Sequence, residues 1–424
     1  MPDKRSVIHA PEAAWGSLLR ERALVVPVEH DRAAILGWFR DHDSFYADRI
    51  GANRAWERVR PLDKRDVADV PVSADDSIRE NRTSGTSGFQ VAIRNTLRER
   101  RFRRALLYRP HLFYDLPADV NQVVFIDGSW CGEARRPPKL FEYGGVRYRT
   151  WFAGVAADVG EIHSLLVALR PQLIRGISSG IVRFIEQAGV SLRDLGVQII
   201  APGGEFLQSA WRETLRDAFG ATVLDRYGST ESGALAWQCP MCRRYHANVD
   251  EILLEADPDG LLVTPLFVSS QPLLRYRLGD VVVFDDEDAN CRVRLPTLRI
   301  DQARRDDWVV GADGRRVSPL SFQFEQVPYL DAWRLHQNAD GSLCLYFDSP
   351  RPDDVAEPLG RRLADAVPNR PFELRQGIWR LERGGKFKRV SSDCQLDGGQ
   401  TSVESMPGGS DPESIDPATG PGPA

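Results

Sequence analysis

The amino-acid sequence predicts an α/β protein with a large N-terminal domain and a small α+β C-terminal domain. Between residues 121 and 219, strand-like apolar runs alternate with helical segments, which predicts βαβ units and mixed or largely parallel sheets flanked by helices. From about residue 250, short apolar runs separated by Pro-Asp-Gly and Gly-Asp turns predict a β-rich subdomain. Residues 330–390 carry shorter, mixed α and β patterns, which predict the small domain.

Each element is predicted from a local pattern. Residues 31–60 have apolar side chains at mixed spacings of three and four, which predicts helices. Residues 121–130 predict a buried strand that runs into a turn, and residues 161–190 predict a helix, a short strand and a second helix. The segment 197–219 predicts a strand that ends in glycines and is followed by a helix.

We therefore predict three segments of different organisation. Residues 1–303 form the large domain, in which the β-rich subdomain occupies about 235–303. Residues 304–391 form the small C-terminal domain, which we expect to be mobile. Residues 392–424 are rich in Gly, Pro, Ser and acidic side chains, a composition that predicts a disordered tail.

The bulk composition bears on partners and location. The 424 residues are 42% hydrophobic and 27% charged, and the net charge of −5 gives no reason to expect nucleic acid or an anionic membrane as a partner. We predict that the basic run RERRFRR at 98–104 is the solvated face of a helix. The N-terminus lacks a signal-peptide pattern and no 18-residue apolar run occurs, so we expect a cytoplasmic protein.

The stretch TSGTSG at 83–88 predicts a loop that wraps a polyphosphate. Its glycines permit positive φ and close backbone approach, and its Ser and Thr side chains add donors beside backbone N–H groups. A flexible linker is the alternative, but the loop leads directly into QVAIRNT, which has the pattern of a strand. The stretch lacks the lysine of GxxxxGK[ST], so it is not the common nucleoside-triphosphatase loop.

Further motifs follow this loop in a specific order. Each is weak evidence alone, but over roughly residues 45–390 the sequence resembles the adenylate-forming superfamily and, within it, the phenylacetate–coenzyme A ligase-like branch. In family order, the signatures are SFY (44–46), PLDKRDV (61–67), TSGTSG (83–88), PGGEFL (202–207), DRYGSTE (225–231), RYRLGD (275–280), ARRDD (303–307) and GGKFKR (384–389).

The resemblance implies a nucleotide-binding site for ATP. The phosphate loop is expected to bind the β- and γ-phosphates through Thr83, Ser84, Gly85, Thr86, Ser87 and Gly88. Further cofactor-binding residues implied by the motifs are Gly204, Glu205, Tyr227, Gly228, Ser229, Asp280 and Arg304. Among them, Tyr227 is expected against adenine, and the ionised Asp280 suits the ribose hydroxyls as an acceptor.

The resemblance also implies catalytic residues and a hinge. Glu231 is expected to coordinate Mg²⁺, and Thr230 to lie beside the α-phosphate of ATP. Lys386 is expected to bridge the carboxylate and the α-phosphate, and Asp306 stands at the hinge between the two domains. Two departures from the family pattern are the loop ending GFQ and Ala303, which replaces the hinge glycine.

The implied reaction joins a small carboxylic acid, preferably an aromatic one, to AMP with release of pyrophosphate. The acyl group is then transferred to a thiol, and coenzyme A is the preferred acceptor. Two alternatives stay open: transfer to an amine or a carrier protein, and a catalytically silent nucleotide-binding protein. Retention of Glu231, Asp280 and Lys386 together argues against silence. Dimers are common in this branch, which makes a homodimer one expected assembly.

A second predicted site is a structural zinc centre. The six cysteines of the chain are too sparse for a disulfide scaffold. The segment CPMCRRYH gives Cys-x2-Cys-x3-His, and NCRVRLP adds one more cysteine. Cys239, Cys242, His246 and Cys291 would complete a Cys3His set, which is typical of closed zinc sites. Members of the branch carry a similar motif, but here Arg292 stands in place of a glycine, and two reduced cysteines on a loop are the alternative.

Overall fold

The computed structural model describes residues 2–25, 27, 29–51, 55–82, 91–257, 259–285, 291–304, 309–317, 322, 324, 327–377 and 390–394. Several predicted features lie outside these residues, namely the phosphate loop 83–88, Asp306, Lys386 and positions 395–424 of the tail. Backbone contacts group residues 1–394 as one compact unit, and the predicted domain boundary at 303/304 stays a prediction.

Helices account for much of the first half of the chain. The α-helices are α1 (Trp15–Ala23), α2 (Arg32–His42), α3 (Ser44–Ile50), α4 (Leu97–Tyr108), α5 (Val159–Leu169), α6 (Ser178–Ala188), α7 (Ser209–Phe219) and α8 (Pro352–Ala366). Short 3-10 helices lie at Val7–His9, Glu12–Ala14, Trp56–Arg58, Asp66–Ala68, Arg109–Phe113 and Arg193–Leu195. Capping side chains explain two of the helix starts: Thr96 and Glu99 form a capping box at α4, and Asp158 accepts a hydrogen bond from the N–H of Glu161 at α5.

The strands follow the alternation that the sequence predicts. They are β1 (Arg79–Arg82), β2 (Ala92–Asn95), β3 (Asp119–Ile126), β4 (Lys139–Tyr143), β5 (Val146–Gly154), β6 (Leu173–Ile177), β7 (Ile199–Gly203), β8 (Thr222–Val223), β9 (Arg226–Ser229), β10 (Gly233–Gln238), β11 (Tyr245–Ala247), β12 (Ile252–Glu255), β13 (Leu262–Pro265), β14 (Tyr276–Arg277), β15 (Asp280–Asp285), β16 (Thr297–Arg304), β17 (Val309–Val310), β18 (Arg316–Val317), β19 (Ala332–Gln337), β20 (Leu343–Asp348), β21 (Phe372–Gln376) and β22 (Val390–Ser392).

The largest sheet is mixed. Its eleven strands follow the order β15-β16-β11-β10-β9-β7-β6-β3-β5-β4, with β8 paired to β7. The central strands β5, β3, β6, β7 and β9 are parallel to one another. Strand β4 and the strands from β10 outward pair in an antiparallel manner. Of the segment predicted as β-rich, β10, β11, β15 and β16 extend this sheet, whereas β12, β13 and β14 form a separate three-stranded sheet.

The large sheet separates two hydrophobic cores. Leu173 and Ile174 are adjacent in β6 yet belong to different cores, because successive side chains of a strand point to opposite faces. The first core includes side chains of α1 to α4, and the second includes side chains of α5 to α7. Central strands buried on both faces form continuous apolar runs, which is why the sequence predicts them well.

The C-terminal part has its own core. Strands β21, β20, β19 and β22 form a four-stranded sheet, and β17 and β18 form a two-stranded one. Leu335 and Leu345 of this sheet share a core with Leu359 and Leu363 of α8. The α+β pattern predicted for residues 330–390 is therefore present in the described part of that range.

Candidate active site

A cavity of about 730 Å³ opens where the parallel strands end. The carboxyl ends of β3, β6, β7 and β9 meet at this edge of the sheet, which is the usual position for a ligand in open α/β sheets. The side chains that line it include Lys64, Arg100, Arg103, Arg104, Arg175, Arg226, Tyr227, Thr230 and Glu231. The cavity thus combines residues predicted to bind a nucleotide with a group of basic side chains.

The turn between β9 and β10 holds Thr230 and Glu231 at the cavity wall. The hydroxyl oxygen of Ser229 accepts a hydrogen bond from the N–H of Ser232 at 3.0 Å, which fixes the shape of the turn. The Tyr276 hydroxyl donates to Oε1 of Glu231 at 3.1 Å. The carboxylate that is predicted to bind Mg²⁺ is therefore oriented by a partner from a different sheet.

Arg103 supports the same turn from α4. Its guanidinium donates to the carbonyl oxygen of Glu231 at 3.0 Å and to the carbonyl oxygen of Thr230. Burial lowers the pKa of Arg103 to about 10, so the side chain is still a cation at neutral pH. The prediction that residues 98–104 form only a solvated helix face is wrong for Arg103, because this position borders the buried face of α4 that contains Phe102.

The predicted adenine and ribose residues contact each other. The Tyr227 hydroxyl donates to Oδ2 of Asp280 at 2.9 Å. The backbone of Asp280 pairs with Arg304 between β15 and β16, at an irregularity in the ladder. The residue predicted to contact adenine and the residue predicted to contact the ribose thus lie side by side, although they come from separate strands.

The turn after β7 has a second function besides its predicted nucleotide contact. Gly204 has a φ of +84°, which glycine adopts readily. The Glu205 carboxylate accepts hydrogen bonds from the hydroxyls of Ser178 and Ser179 and from the Ser179 N–H at 2.9 Å. Because a carboxylate is favourable at a helix N-terminus, Glu205 ties this turn to the start of α6.

Gly228 has no room for a side chain, so we expect Gly228→Ala to disrupt the hairpin. A Cβ at this position would lie 2.3 Å from the Gly233 carbonyl oxygen. The substitution should lower the free energy of unfolding by about 1–3 kcal/mol and reduce adenylate formation at least tenfold. Chemical denaturation and pyrophosphate release measure the two effects.

Gly37→Ala is the matched control for that substitution. Gly37 lies within α2, and a Cβ there would meet nothing within 4 Å. Alanine should raise the stability of the helix by about 0.5–1 kcal/mol and leave pyrophosphate release unchanged. Equal behaviour of the two variants would contradict the steric argument.

The four predicted zinc ligands form one cluster. The ligand atoms of Cys239, Cys242, His246 and Cys291 all lie within 4.8 Å of one another. The Sγ atoms of Cys239 and Cys291 are 3.7 Å apart, and Cys242 Sγ is 3.3 Å from His246 Nε2. A tetrahedral ion with Zn–S distances of 2.3 Å needs sulfur atoms roughly 3.8 Å apart, so the cluster has suitable dimensions for zinc.

The surroundings of the cluster also suit a metal ligand set. The Nδ1–H of His246 donates to the Leu295 carbonyl oxygen at 2.6 Å, which leaves Nε2 directed at the thiols. Trp237, Val293 and Leu295 pack around the cysteines in a small core. The cluster lies between the hairpin β10–β11 and the segment 291–295, which are distant in sequence.

The motifs do not imply a function for three further side chains near the site. Arg175, Arg226 and Tyr276 take their positions from strands β6, β9 and β14. Arg226 lies within DRYGSTE and Tyr276 within RYRLGD, but these motifs imply no function for either side chain. Arg175 lies in LIRGI, where a charged residue within an otherwise apolar strand is a signal that the sequence offers. Across the described ranges, no helix is both long and apolar enough to span a bilayer.

The fold is that of the adenylate-forming ligases. A solved structure of a 2-hydroxyisobutyryl-CoA ligase in the postadenylation state with R3-HIB-AMP matches with a TM-score of 0.62 at 16% identity, covering 90% of each chain. An open conformation of that ligase with 2-HIB-AMP and CoA matches with a TM-score of 0.56 at 16% identity, covering 90% of this chain and 92% of that chain. The predicted fold class and the resemblance to the superfamily are thus confirmed at the level of the fold.

Sequence comparison covers a shorter segment. Indoleacetate–lysine synthetase from Pseudomonas savastanoi is 30% identical to this chain over 119 residues. The aligned segment is 27% of this chain and spans 30% of the length of that relative. No family model matches the chain.

Proposed function

We propose that the protein uses ATP to adenylate a small carboxylic acid and then transfers the acyl group to a thiol. The observation that carries this proposal is the hydrogen bond between Tyr227 and Asp280, beside a cavity that Glu231 lines. An adenine contact, a ribose acceptor and a metal-binding carboxylate suit ATP as the ligand. The fold shared with ligases that carry an acyl-AMP supports the same reaction.

The first half-reaction must overcome charge repulsion. A carboxylate oxygen attacks the α-phosphorus of ATP, which carries about four negative charges, so positioning and electrostatic stabilisation supply most of the rate. The bond from the α-phosphorus to the bridging oxygen breaks, and pyrophosphate leaves with that electron pair. Lys64, Arg100 and Arg103 line the cavity and make its potential positive.

Individual residues have distinct functions in this proposal. Glu231 holds Mg²⁺, which neutralises charge on phosphate oxygens. Thr230 lies beside the α-phosphate, and Arg103 keeps both residues in position through their carbonyl groups. The phosphate loop 83–88 contacts the β- and γ-phosphates. Gly204, Gly228 and Ser229 shape the nucleotide site, as Glu205 does by fixing its turn.

The second half-reaction involves the small domain. Residues 304–391 rotate about Asp306 and exchange the face that carries Lys386 for a thioester-forming face. Arg304, next to the hinge, contacts the ribose or a phosphate. The separate core shared by β19, β20 and α8 supports an independently moving domain.

Two versions of the proposed function differ in the molecule that accepts the acyl group. Coenzyme A is the first choice, as in the phenylacetate–coenzyme A ligase-like branch, whose motif order the sequence has. The segment of similarity to indoleacetate–lysine synthetase favours an amine as the second choice. Both versions share the acyl adenylate and differ only in the nucleophile, which attacks its carbonyl carbon, displaces AMP and loses a proton.

A structural zinc ion is part of the proposal. Cys239, Cys242, His246 and Cys291 bind it as a closed set, with no position left for a substrate. Zinc there joins the hairpin β10–β11 to the segment 291–295. Because β10 begins directly after the turn that holds Glu231, the ion stabilises the framework of the active site without taking part in the reaction.

A pyrophosphate-release screen tests the proposed function. Aryl, short-chain and amino acids are each supplied with ATP and Mg²⁺, with and without coenzyme A. Release together with a thioester supports the ligase, and release without a thioester favours an amine or carrier-protein acceptor. Absence of release with every acid would favour a silent nucleotide-binding protein.

We expect Lys386→Ala to abolish adenylate formation while ATP binding stays nearly unchanged. Loss of one donor to the developing charge costs about 3–4 kcal/mol of transition-state stabilisation, or 10²- to 10³-fold in rate. Pyrophosphate release and equilibrium ATP binding measure the two properties. Full activity of the variant would refute the function of this lysine, and Lys4→Ala serves as a control at a lysine that lies in none of the motifs.

A further inference from the structure

Two arginines lie together at the inner wall of the cavity. Arg175 in β6 and Arg226 in β9 both line it, and β7 runs between their strands. Ala201 of β7 is the register partner of Arg175, and its carbonyl oxygen accepts a hydrogen bond from Nη2 of Arg226 at 2.6 Å. Arg226 itself is the register partner of Gly203, so the two side chains lie on the same face of the sheet, two residues apart along β7.

Both guanidinium groups have buried donors without partners. In Arg175 and in Arg226, Nε and Nη1 are inaccessible to solvent and make no hydrogen bond. Among the described residues, neither guanidinium has a carboxylate oxygen within ion-pair distance. Buried and unpaired positive charge is unfavourable, so this arrangement is incomplete without an anion.

The neighbouring side chains do not supply that anion. The guanidinium of Arg175 lies over the ring of Tyr108 at 4.7 Å, a contact that leaves its N–H groups free. Burial, followed by the charges of both arginines, lowers the pKa of His111 well below its usual range, so the imidazole is neutral. Burial raises the pKa of Tyr148 and Tyr114, and both stay neutral phenols.

Asp225, the residue before Arg226 in the chain, is one candidate counter-ion, and it has other partners. Its Oδ1 accepts from the backbone N–H of Arg226 at 2.7 Å, and its Oδ2 accepts from the Tyr245 hydroxyl at 2.6 Å. Burial raises the pKa of Asp225 to about 6. Burial, and next the charge of Arg175, lowers the pKa of Arg226 to about 10, so Arg226 is still a cation at neutral pH.

Strand geometry separates this pair from the nucleotide. Tyr227 follows Arg226 in β9 and contacts Asp280, the predicted ribose acceptor. Adjacent residues of a strand point to opposite faces, so Arg226 points away from the ribose side, toward Arg175. With the nucleotide at Tyr227 and Asp280, as proposed above, the arginine pair is left to bind the acid.

We propose that the acid is a dicarboxylate whose second carboxylate binds between Arg175 and Arg226. This inference rests on the proposed adenylation of a carboxylic acid. Guanidinium groups bind carboxylates through paired N–H donors, and the side chains of both arginines line the cavity. One carboxylate is activated by ATP at the outer end, and the other anchors the substrate at the inner end.

Matched acids test the inference. Each pair differs by one carboxylate in place of a hydrogen atom: pentanoate and adipate, butyrate and glutarate, phenylacetate and 4-carboxyphenylacetate. In at least one pair, kcat/KM for pyrophosphate release should favour the diacid by about 100-fold or more, because a site with buried donors rejects an analogue that lacks the acceptor. Equal or better use of the monoacid in every pair would overturn the inference and leave the proposed adenylation intact. No release with any acid would instead count against the adenylation, and the binding experiment below then decides the inference separately.

Variants connect the preference to the two arginines. Arg226→Met and Arg175→Met should remove the diacid preference by raising KM for the diacid, while KM for ATP stays within about threefold. Without ligand, both variants should unfold at the same or a higher temperature, because an unpaired buried charge is removed. Arg101→Met, at an exposed arginine outside the cavity, controls for loss of one positive charge. A rise in KM for ATP with unchanged KM for the diacid would assign the pair to the nucleotide and overturn the inference.

Binding gives a readout that does not need turnover. Calorimetry with the preferred diacid alone should detect binding to the unaltered protein and to Arg101→Met. The Arg226→Met and Arg175→Met variants should bind that diacid at least tenfold more weakly. Equal affinity of all four proteins, or no affinity of the unaltered protein for any of the diacids, would overturn the assignment of the arginine pair.

Discussion

Replacement of Glu231 by glutamine should slow adenylate formation by about 10²- to 10³-fold, the loss typical when one electrostatic stabiliser of a transition state is removed. Glutamine has nearly the same shape as glutamate and can still accept a hydrogen bond from the Tyr276 hydroxyl. The turn between β9 and β10 should therefore keep its structure, since Arg103 binds the backbone carbonyls of Thr230 and Glu231 rather than the carboxylate. Only the negative charge available to Mg²⁺ is lost.

Three measurements separate that explanation from simple unfolding. Thermal unfolding of Glu231→Gln should match the unaltered protein, and excess Mg²⁺ should restore part of the activity. Tyr276→Phe, which keeps the carboxylate but removes its hydrogen bond, should cost about tenfold or less. Glu142→Gln makes the same chemical change at a carboxylate whose side chain is 72% exposed, and should have no effect. Unchanged pyrophosphate release by Glu231→Gln would contradict the assigned function.

The central strands illustrate what the sequence can predict. In β3, β6 and β7 the backbone hydrogen bonds are made to parallel neighbours and both faces are covered, so long apolar runs are required. Glycines at the ends of these strands and the helices that follow them complete a βαβ pattern with little ambiguity. Local sequence patterns are therefore enough to predict the fold class, the starts of helices and the succession of strands and helices along the chain.

The candidate nucleotide site is predicted from motifs rather than from periodicity. Tyr227 and Asp280 are separated by several strands in sequence, and periodicity alone does not bring them together. Their motifs, however, occur in a family order, and the hydrogen bond between them agrees with that order. The motifs thus predict that both residues belong to one site. Their direct contact depends on how β9 and β15 are arranged in the sheet.

The arginines show why the remainder was not predictable. The run at 98–104 has the composition of a solvated face, yet the helical period turns Arg103 toward the hairpin, where two carbonyl groups accept its N–H donors. For Arg175 and Arg226 the decisive fact is that Nε and Nη1 of each side chain lack a hydrogen-bond partner among the described residues, which depends on every side chain packed nearby. A missing hydrogen-bond partner has no spacing or composition that could be recognised in a single sequence.

Substitution of Cys239 by serine should remove about one bound zinc ion per chain and lower the free energy of unfolding by several kcal/mol. Cys239 is fully buried, and its Sγ lies 3.7 Å from that of Cys291. Serine is a poor zinc ligand, so the hairpin β10–β11 would lose its metal-mediated connection to the segment 291–295. Because zinc binding and folding are coupled in such sites, a chelator should destabilise the unaltered protein and have little effect on the variant.

Cys131→Ser is the matched control, because Cys131 lies outside the cluster and is only partly buried. It should retain the metal and unfold near the temperature of the unaltered protein. In Cys239→Ser, pyrophosphate release per folded molecule should stay within about threefold of the unaltered protein, because a closed four-ligand site has no position for a substrate. Metal analysis, chelator-dependent unfolding and cobalt substitution, which gives thiolate-ligated sites a characteristic absorption, measure these properties. Metal-free protein of unchanged stability would exclude the zinc centre, and loss of turnover in fully folded variant would show that the cluster acts on the reaction rather than on the framework that holds Glu231.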